Sequence, residues 1–233
     1  MGITTEQLVE YTAEFLPDLD IEKLEVYKNE LIERNKNVNL TAITEPEEIN
    51  EKHFLDCLSV FRFIDFKRNA AVIDVGTGAG FPGLVLKTAR EDLAVTLLDS
   101  LNKRLLFLDE VCRKNNLSCN IVHARAEDGA RSELRESFDY AVSRAVARLP
   151  VLLEYCLPYV KKGGSFIALK GPETDEEIKE SETALKTLGG EIGNVFRFSL
   201  PSGDRRTLIE IKKTSQTPPI YPRKGVKITK KPL

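Results

Sequence analysis

The sequence has no long apolar run and no sign of a targeting segment. No stretch approaches the roughly 18 uninterrupted apolar residues that a membrane helix requires. The N-terminal segment MGITTEQLVEYTAEF lacks the basic stretch followed by an apolar stretch that a secretory signal needs. We therefore expect a cytoplasmic protein that is neither secreted nor inserted in a membrane.

Cysteine and histidine are also scarce, with four and two residues in the whole chain. They lie without the C-x-x-C or H-x-x-x-H spacing of a structural zinc site. The six residues are Cys57, Cys112, Cys119, Cys156, His53 and His123. This pattern favours free thiols in a reducing compartment and predicts no metal.

Net charge is only −2, but the charges are unevenly distributed. Residues 1–50 hold 12 acidic and 4 basic side chains, net −8, and residues 203–233 hold 2 and 9, net +7. The intervening segment holds 22 and 21, net −1. A basic tail on an otherwise acidic protein is typical of contact with a polyanion such as RNA.

The N-terminal part of the chain has helical periodicity. Ile21, Leu24, Tyr27 and Leu31 recur at three or four residues and predict one buried helical stripe. A second helix is predicted to start with Thr44 as its cap and to continue through residue 61. We expect residues 1–65 to form a helical extension.

From residue 70 onward, short apolar runs alternate with helical stretches. The predicted strands cover residues 70–75, 94–98, 120–123, 138–142 and 165–169. The predicted helices cover residues 83–90, 103–116 and 150–160. Strands that alternate with helices indicate an α/β fold with a doubly wound, mostly parallel sheet.

The last third of the chain departs from this alternation. Residues 191–199 and 207–212 form two strand-like runs separated by a turn-rich link, and they predict a closing antiparallel pair. The sheet domain is then expected over residues 66–213. Residues 214–233, with four prolines and no acidic residue, predict a basic, extended and partly ordered arm.

The most informative segment is the glycine-rich turn DVGTGAGFPG at residues 74–83, between a predicted strand and a predicted helix. Counted from Gly78, it matches the G-x-G-x-x-G fingerprint of a dinucleotide site, with Asp99 about twenty residues further on. Counted from Asp74, it matches the D-x-G-x-G-x-G loop that binds S-adenosylmethionine in class I methyltransferases.

Charge separates these two interpretations. A dinucleotide places its pyrophosphate on the N–H groups of the helix start, where Pro82 removes one donor and Asp74 adds repulsion. A ligand with a sulfonium and an ammonium group favours a carboxylate at that place. The turn therefore favours S-adenosylmethionine, and Asp99 can accept both ribose hydroxyls or else cap the helix that follows it.

Several motifs together resemble the bacterial RsmG (GidB) family, which methylates N7 of one guanosine in 16S ribosomal RNA. The motifs are DVGTGAGFPG (74–83), LDSLNKR (98–104), SRAVA (143–147), ALKG (168–171), RNKNVNLT (34–41) and HFLD (53–56). The resemblance covers roughly residues 20–213. It implies a class I methyltransferase (Rossmann-like) fold and a partner in 16S rRNA or the small ribosomal subunit, and we expect a monomer.

The resemblance also implies a set of cofactor contacts, to which the turn itself adds Asp74 and Gly78. The implied contacts are Gly76 and Phe81 at the methionine part, Asp99, Ser100 and Leu101 at the ribose and adenine, Ala126 and Glu127 beside the adenine, and Arg144 as a further cofactor-site residue.

Guanine N7 carries a lone pair and no proton, so its methylation needs alignment and desolvation rather than a general base. Two other methylation reactions, at an exocyclic amine and at carbon 5 of a pyrimidine, lack suitable residues here. The Asn/Asp-Pro-Pro-aromatic loop of exocyclic amine methyltransferases is replaced by SRAV at residues 143–146, and Cys156, the cysteine nearest the fourth strand, lies in a predicted apolar helix.

Residues that contact the base and the RNA are predicted from position and charge. The candidates for contact with the target base are His53, Asp56, Arg144, Arg148 and Lys170. The candidates for phosphate contact are Lys103, Arg104, Arg205, Arg206, Arg223, Lys224, Lys227, Lys230 and Lys231. Removal of residues 214–233 is expected to weaken rRNA binding and to leave cofactor binding intact.

Two other functional classes remain open from the residues alone. The literal glycine fingerprint allows a nicotinamide-dependent oxidoreductase, which tight NADH binding would support. A non-catalytic cofactor-binding module on the ribosome would bind the same cofactor without labelling RNA.

Overall fold

A seven-stranded sheet, with helices on both faces, forms the centre of the computed structural model, which describes residues 2–233. The strands are β1 (Ala71–Val75), β2 (Ala94–Asp99), β3 (Asn120–His123), β4 (Phe138–Arg144), β5 (Val160–Lys170), β6 (Gly190–Ser199) and β7 (Arg205–Lys213). Their order in the sheet is β3-β2-β1-β4-β5-β7-β6.

Eleven α-helices lie in the described part of the chain. They are α1 (Thr5–Thr12), α2 (Ile21–Asn35), α3 (Pro46–Ile49), α4 (Asp56–Leu58), α5 (Gly83–Ala89), α6 (Asn102–Lys114), α7 (Ala126–Gly129), α8 (Leu149–Cys156), α9 (Asp175–Glu180), α10 (Glu182–Leu188) and α11 (Gly225–Lys230). None of the helices within residues 2–233 combines the length and apolar character needed to cross a bilayer.

The pairing of the strands confirms the predicted fold class. Strands β1 to β5 pair in parallel, and β7 pairs antiparallel with both β5 and β6. Because parallel strands end at the same edge, the register brings the ends of β1, β2 and β4 together with the loops that follow them. That edge carries the candidate site.

The two faces of the sheet are covered by two separate apolar clusters. Leu24, Tyr27 and Leu31 of α2 are buried in the first cluster, so the predicted helical stripe is confirmed. This cluster also includes α5 and α6, and the N-terminal helices therefore share a core with the sheet. The second cluster joins α8, α10 and β5 on the opposite face.

The helical stretch after residue 45 differs from its prediction. Glu45, rather than Thr44, occupies the N-cap position of α3, and it makes no side-chain cap. After α3 the chain forms a π-helical segment over Asn50–Leu55, then α4, and ends in a 3-10 turn over Ser59–Arg62. Wider turns of the π type recur at functional sites, and this one carries His53.

Strand β5 is longer than predicted. It starts at Val160, where the sequence suggested the end of a helix, because α8 stops at Cys156 and a 3-10 turn over Leu157–Tyr159 follows. Pro158 in that turn has no N–H to donate to a helical ladder. Val160 then pairs with Phe138 of β4.

The C-terminal arm, residues 214–233, is more structured than predicted. It contains α11, and Ile228 of that helix is fully buried. Tyr221 packs against the second apolar cluster. The arm is therefore docked on the domain.

Candidate cofactor and substrate site

Two adjoining cavities open at the carboxyl edge of the parallel strands. The first cavity has a volume of about 490 Å³ and is lined by Leu40, Thr41, His53, Gly76, Thr77, Gly78, Ala79, Phe81, Leu98, Asp99, Ser100, Arg104, Ala124, Arg125, Ala126, Glu127, Arg144, Ala145, Val146 and Tyr155. The second cavity, about 350 Å³, is lined by Ile43, Lys52, His53, Asp56, Arg144, Ala145, Leu169, Lys170, Gly171 and Arg206. His53, Arg144 and Ala145 line both cavities.

The glycine-rich turn forms the floor of the first cavity. Gly76 has φ +75°, a backbone conformation that side chains with a Cβ rarely adopt. A Cβ on Gly76 would also come within 2.8 Å of Val146 Cγ2, in the loop after β4. The turn therefore needs glycine both for its conformation and for the close approach of the opposite loop.

Asp74 supports this turn from below and does not line either cavity. Its Oδ2 accepts hydrogen bonds from Thr77 Oγ1 at 2.6 Å and from the Gly83 N–H at 2.8 Å. Since the Gly83 N–H is at the start of α5, the carboxylate occupies a place where a dinucleotide pyrophosphate would need a donor. The predicted direct contact of Asp74 with a cofactor is thus replaced by support of the loop.

The environment of Asp74 also changes its titration. Burial raises the pKa of this carboxyl to about 7, although the hydrogen bonds from Thr77 and Gly83 oppose the shift. Its second oxygen, Oδ1, is buried and has no hydrogen-bond partner within residues 2–233.

Asp99 lies at the end of β2 and lines the first cavity, as does Ser100. Asp99 Oδ2 accepts from the Gly78 N–H at 2.9 Å, and Oδ1 accepts from the Leu101 N–H at 2.8 Å. Arg104 lies 3.4 Å from Oδ2. The carboxylate is thereby oriented by three protein groups, and Leu101 contributes its backbone while its side chain is exposed.

Arg144 lies where the two cavities meet, and it packs on Phe81 of the first cavity. The Arg144 guanidinium lies 4.8 Å from the centroid of the Phe81 ring, which His53 stacks against at 4.3 Å. Arg144 Nη1 donates to Asp56 Oδ2 at 3.0 Å and to the Lys52 carbonyl at 2.9 Å. The sequence candidates His53, Asp56, Phe81 and Arg144 are therefore brought together.

His53 Nδ1 has two neighbours, Arg144 Nη2 at 2.9 Å and the Lys52 carbonyl at 3.2 Å. Because arginine can only donate, the shorter contact favours the tautomer with the lone pair on Nδ1. Nε2 then holds the proton and donates to Thr41 Oγ1 at 2.7 Å. Burial, together with the positive Arg144, lowers the pKa of His53 to about 3. The imidazole is neutral, and its lone pair is already engaged.

Ala126 and Glu127 also line the first cavity. They begin α7, just after β3. The Tyr159 hydroxyl donates to the Ala126 carbonyl at 2.7 Å and fixes this segment to the 3-10 turn before β5. Tyr155 of α8 lines the same cavity.

The remaining base-contact candidates are separated by the structure. Lys170 lines the second cavity, where its Nζ pairs with Glu177 of α9 at 2.8 Å and donates to the Ala147 carbonyl. Arg148 lines neither cavity, and it forms an exposed ion pair with Glu180 at 2.8 Å.

The predicted phosphate contacts fall into two groups. Arg104 lines the first cavity and Arg206 lines the second, while Lys103, Arg205, Lys224, Lys227, Lys230 and Lys231 are exposed. Arg223 is different, because its guanidinium pairs with the fully buried Glu154 at 2.7 Å. A charge neutralised in this way argues against a phosphate contact by Arg223.

Several residues of the site were missed in the sequence, among them three with a specific role or contact. Thr41 accepts from His53, Tyr155 lines the first cavity, and Gly225 of the arm lies directly behind Glu127. Thr41 is the last residue of the RNKNVNLT motif, which could have indicated it. No local pattern marks Tyr155 or Gly225.

Within residues 2–233, no group of three or more His, Cys, Asp or Glu side chains is placed to hold a metal ion.

The sequence is similar to one protein family over most of its length. The model of the family described as GidB, rRNA small subunit methyltransferase G, matches residues 20–208. The ribosomal RNA small subunit methyltransferase G of Clostridium perfringens is 53% identical over 215 residues, which is 91% of this chain and 90% of the relative. That of Desulforamulus reducens is 53% identical over 213 residues, 90% of this chain and 88% of the relative.

Solved structures resemble the chain in fold. TrmN from Thermus thermophilus matches with a TM-score of 0.54 and 18% identity, over 68% of this chain and 48% of that one. TYW2 of M. jannaschii, solved in complex with AdoMet, matches with a TM-score of 0.51 and 15% identity, over 63% and 70%. The region matched by the family ends at residue 208, so the C-terminal arm lies beyond it.

Proposed function

Because the chain belongs to the GidB family of rRNA small subunit methyltransferases, we propose that it methylates N7 of one guanosine in 16S rRNA. The observation that carries this proposal is the junction of the two cavities at Arg144. One cavity fits a nucleoside cofactor, and the other lies next to it with polar and cationic side chains that suit an RNA base.

The cofactor is S-adenosyl-L-methionine, which supplies an electrophilic methyl group when bound. The first cavity suits it, because the glycine turn gives close backbone approach and Asp99 offers a carboxylate already oriented by Gly78 and Leu101. We assign the ribose hydroxyls to Asp99, since a carboxylate can accept both. The methionine part then lies toward Gly76, Phe81 and Arg144, and the adenine toward Ala126 and Glu127.

The second cavity takes the target guanine. Arg206 and Lys170 offer donors, the kind of group that recognises the O6 edge of guanine. The Asp56 carboxylate at this cavity pairs with both Arg144 and Arg206 and holds these two donors in place.

Methylation at N7 is also compatible with the titratable side chains nearby, which are already paired with other groups of the protein. His53 Nδ1 contacts Arg144, Asp56 pairs with Arg144, and Lys170 pairs with Glu177. Guanine N7 has no proton to lose, so engaged side chains suffice if they hold the base in line with the methyl group. These residues therefore position and desolvate the reactants.

RNA affinity comes from the cations around both cavities. Arg104 lines the first cavity and Arg206 lines the second, while Lys103, Arg205 and the lysines of the arm are exposed. Contacts of this type make binding strongly dependent on salt. We propose that the chain acts as a monomer in the cytoplasm.

One experiment tests which nucleotide receives the methyl group, and on which atom. Small-subunit rRNA that lacks the modification is incubated with the purified protein and methyl-labelled S-adenosylmethionine, and the label is mapped. We expect one labelled guanosine, with the methyl group on N7, and no label with a Gly76→Val variant. Label on an exocyclic amine or a ring carbon, or no transfer to RNA, would refute the proposal.

A further inference from the structure

The C-terminal arm is fastened to the segments that form one wall of the first cavity. The backbone N–H and the guanidinium of Arg223 both donate to Glu154, which is fully buried in α8. Arg131 and Arg135, in the turn after α7, donate to backbone carbonyls of the arm. These contacts fix the arm against both α7 and α8.

The same two helices supply cavity-lining residues on their other side. Ala126 and Glu127 begin α7, and Tyr155 follows the arm's partner Glu154 in α8. The arm therefore contacts the same two helices whose residues line the cavity.

Gly225 of the arm lies against the Glu127 side chain. A Cβ on Gly225 would lie 2.1 Å from Glu127 Oε1 and 2.9 Å from its Cδ, distances that real Cβ atoms do not reach. Glu127 is only 8% exposed, and it also lines the first cavity. The observed position of the Glu127 carboxylate is thus possible only with glycine at residue 225.

We propose that the arm is part of the cofactor site, with Gly225 as the positioning residue that holds Glu127 against the first cavity. The inference rests on the proposed use of that cavity for S-adenosylmethionine. The sequence alone predicts that the arm can be removed without loss of cofactor binding, whereas this contact predicts that cofactor affinity depends on it.

The substitution Gly225→Ala isolates the contact. Gly225 does not have a positive φ, and alanine favours a helix more than glycine does, so α11 accepts the change. The atom in the way is the end of a flexible side chain, and Glu127 must therefore move while the fold persists. We expect the affinity for S-adenosylhomocysteine to fall about tenfold by calorimetry, the effect of losing one hydrogen bond to a charged group.

The matched control is Val226→Ala, the next residue of α11, whose side chain is 69% exposed. It changes the same helix without touching Glu127, and the affinity for S-adenosylhomocysteine should equal that of the wild type. In steady-state methylation, Gly225→Ala should raise KM for S-adenosylmethionine and leave kcat at saturation unchanged.

A double-mutant cycle establishes whether Gly225 acts through Glu127. Glu127→Ala should itself weaken binding, and Gly225→Ala should have no further effect on that background. Wild-type affinity in Gly225→Ala, or an undiminished loss on the Glu127→Ala background, would overturn the proposal. Failure of the wild type to bind S-adenosylhomocysteine at all would instead overturn the cofactor assignment.

Discussion

The two cavities lie side by side, but different kinds of groups line them. The first is formed largely by backbone and short side chains of the turns that follow β1, β2, β3 and β4. The second depends on long charged side chains from distant segments, with Asp56 between Arg144 and Arg206. A backbone-built cavity is sensitive to single glycines, whereas a cavity built from ion pairs is sensitive to the loss of a central charge.

The largest expected effect is that of Gly76→Val on cofactor binding. Valine at a positive φ is strained, and its side chain meets Val146 across the cavity. Strain and overpacking together cost about 3 kcal/mol or more, so the affinity for S-adenosylhomocysteine should fall at least about 100-fold by calorimetry.

Gly203→Val is the matched control for that substitution. Gly203 has φ +89° in an open turn after β6, where a Cβ meets no atom within 4 Å. It introduces similar backbone strain away from the cavities and should keep wild-type affinity. Equal losses in the two variants would mean that strain, not obstruction, explains the effect.

Asp56→Ala tests the second cavity. It leaves the cationic Arg144 without its carboxylate in a largely buried place and removes one partner of Arg206. Loss of one partner from such a cluster should reduce the free energy of unfolding by about 3 kcal/mol in urea denaturation. The KM for rRNA should rise, and S-adenosylhomocysteine affinity should change much less than in Gly76→Val.

The control for Asp56 is Asp204→Ala. Asp204 also pairs with Arg206, at 3.7 Å, but its side chain is 46% exposed. Removal of an exposed pair of this kind should cost about 0.5 kcal/mol or less. If Asp56→Ala weakened cofactor binding as strongly as Gly76→Val, the two cavities would have to be regarded as one unit.

Asp99→Ala has a smaller effect, confined to the first cavity. It removes the proposed acceptor of the ribose hydroxyls, a loss of about 1.5 to 3 kcal/mol. Calorimetry on the folded variant should show a corresponding decrease in S-adenosylhomocysteine affinity. Unaltered affinity would show that Asp99 only orders Gly78 and Leu101.

The smallest effect concerns the pH dependence of stability beneath the glycine turn. The folded pKa of Asp74, about 7, lies above its unfolded value, so its contribution is greatest at low pH and is lost as pH rises from about 4 to 7. Relative to Asp74→Asn, the wild type should lose about 1 to 3 kcal/mol of unfolding free energy between pH 5 and pH 8.

The comparison with Asp74→Asn isolates the contribution of Asp74. Both proteins contain all the other titrating groups, so the contributions of those groups to the pH dependence cancel. Urea denaturation at several pH values measures the difference. A constant difference across that range would mean that Asp74 is ionised in the folded protein throughout.

The sequence predicted the parts of the fold and site that depend on local patterns. The strands β1 to β4, the antiparallel pair of β6 and β7 and the buried face of α2 are confirmed, because apolar spacing determines burial. The first cavity followed from a turn in which glycine spacing is tied to backbone conformation.

Other features depend on contacts between distant residues. The pairing of Arg144 with Asp56 spans 88 residues, and the contact of Gly225 with Glu127 joins the arm to α7, nearly 100 residues earlier. Local charge predicted Arg223 as a phosphate contact, yet the buried partner Glu154 could not be read from its own neighbourhood. Asp74 is different, since its partners Thr77 and Gly83 are close in sequence, and the motif did not indicate that its carboxylate faces them instead of the cavity.

The hydroxyl of Tyr27 donates to the Ala79 carbonyl in the glycine turn, and its ring packs against Phe81 and Phe107. During synthesis, α2 leaves the ribosome well before these partners are made. The apolar face of α2 therefore stays unburied in the nascent chain until residues near 107 have emerged. The glycine turn acquires its final shape only when α2 packs against it.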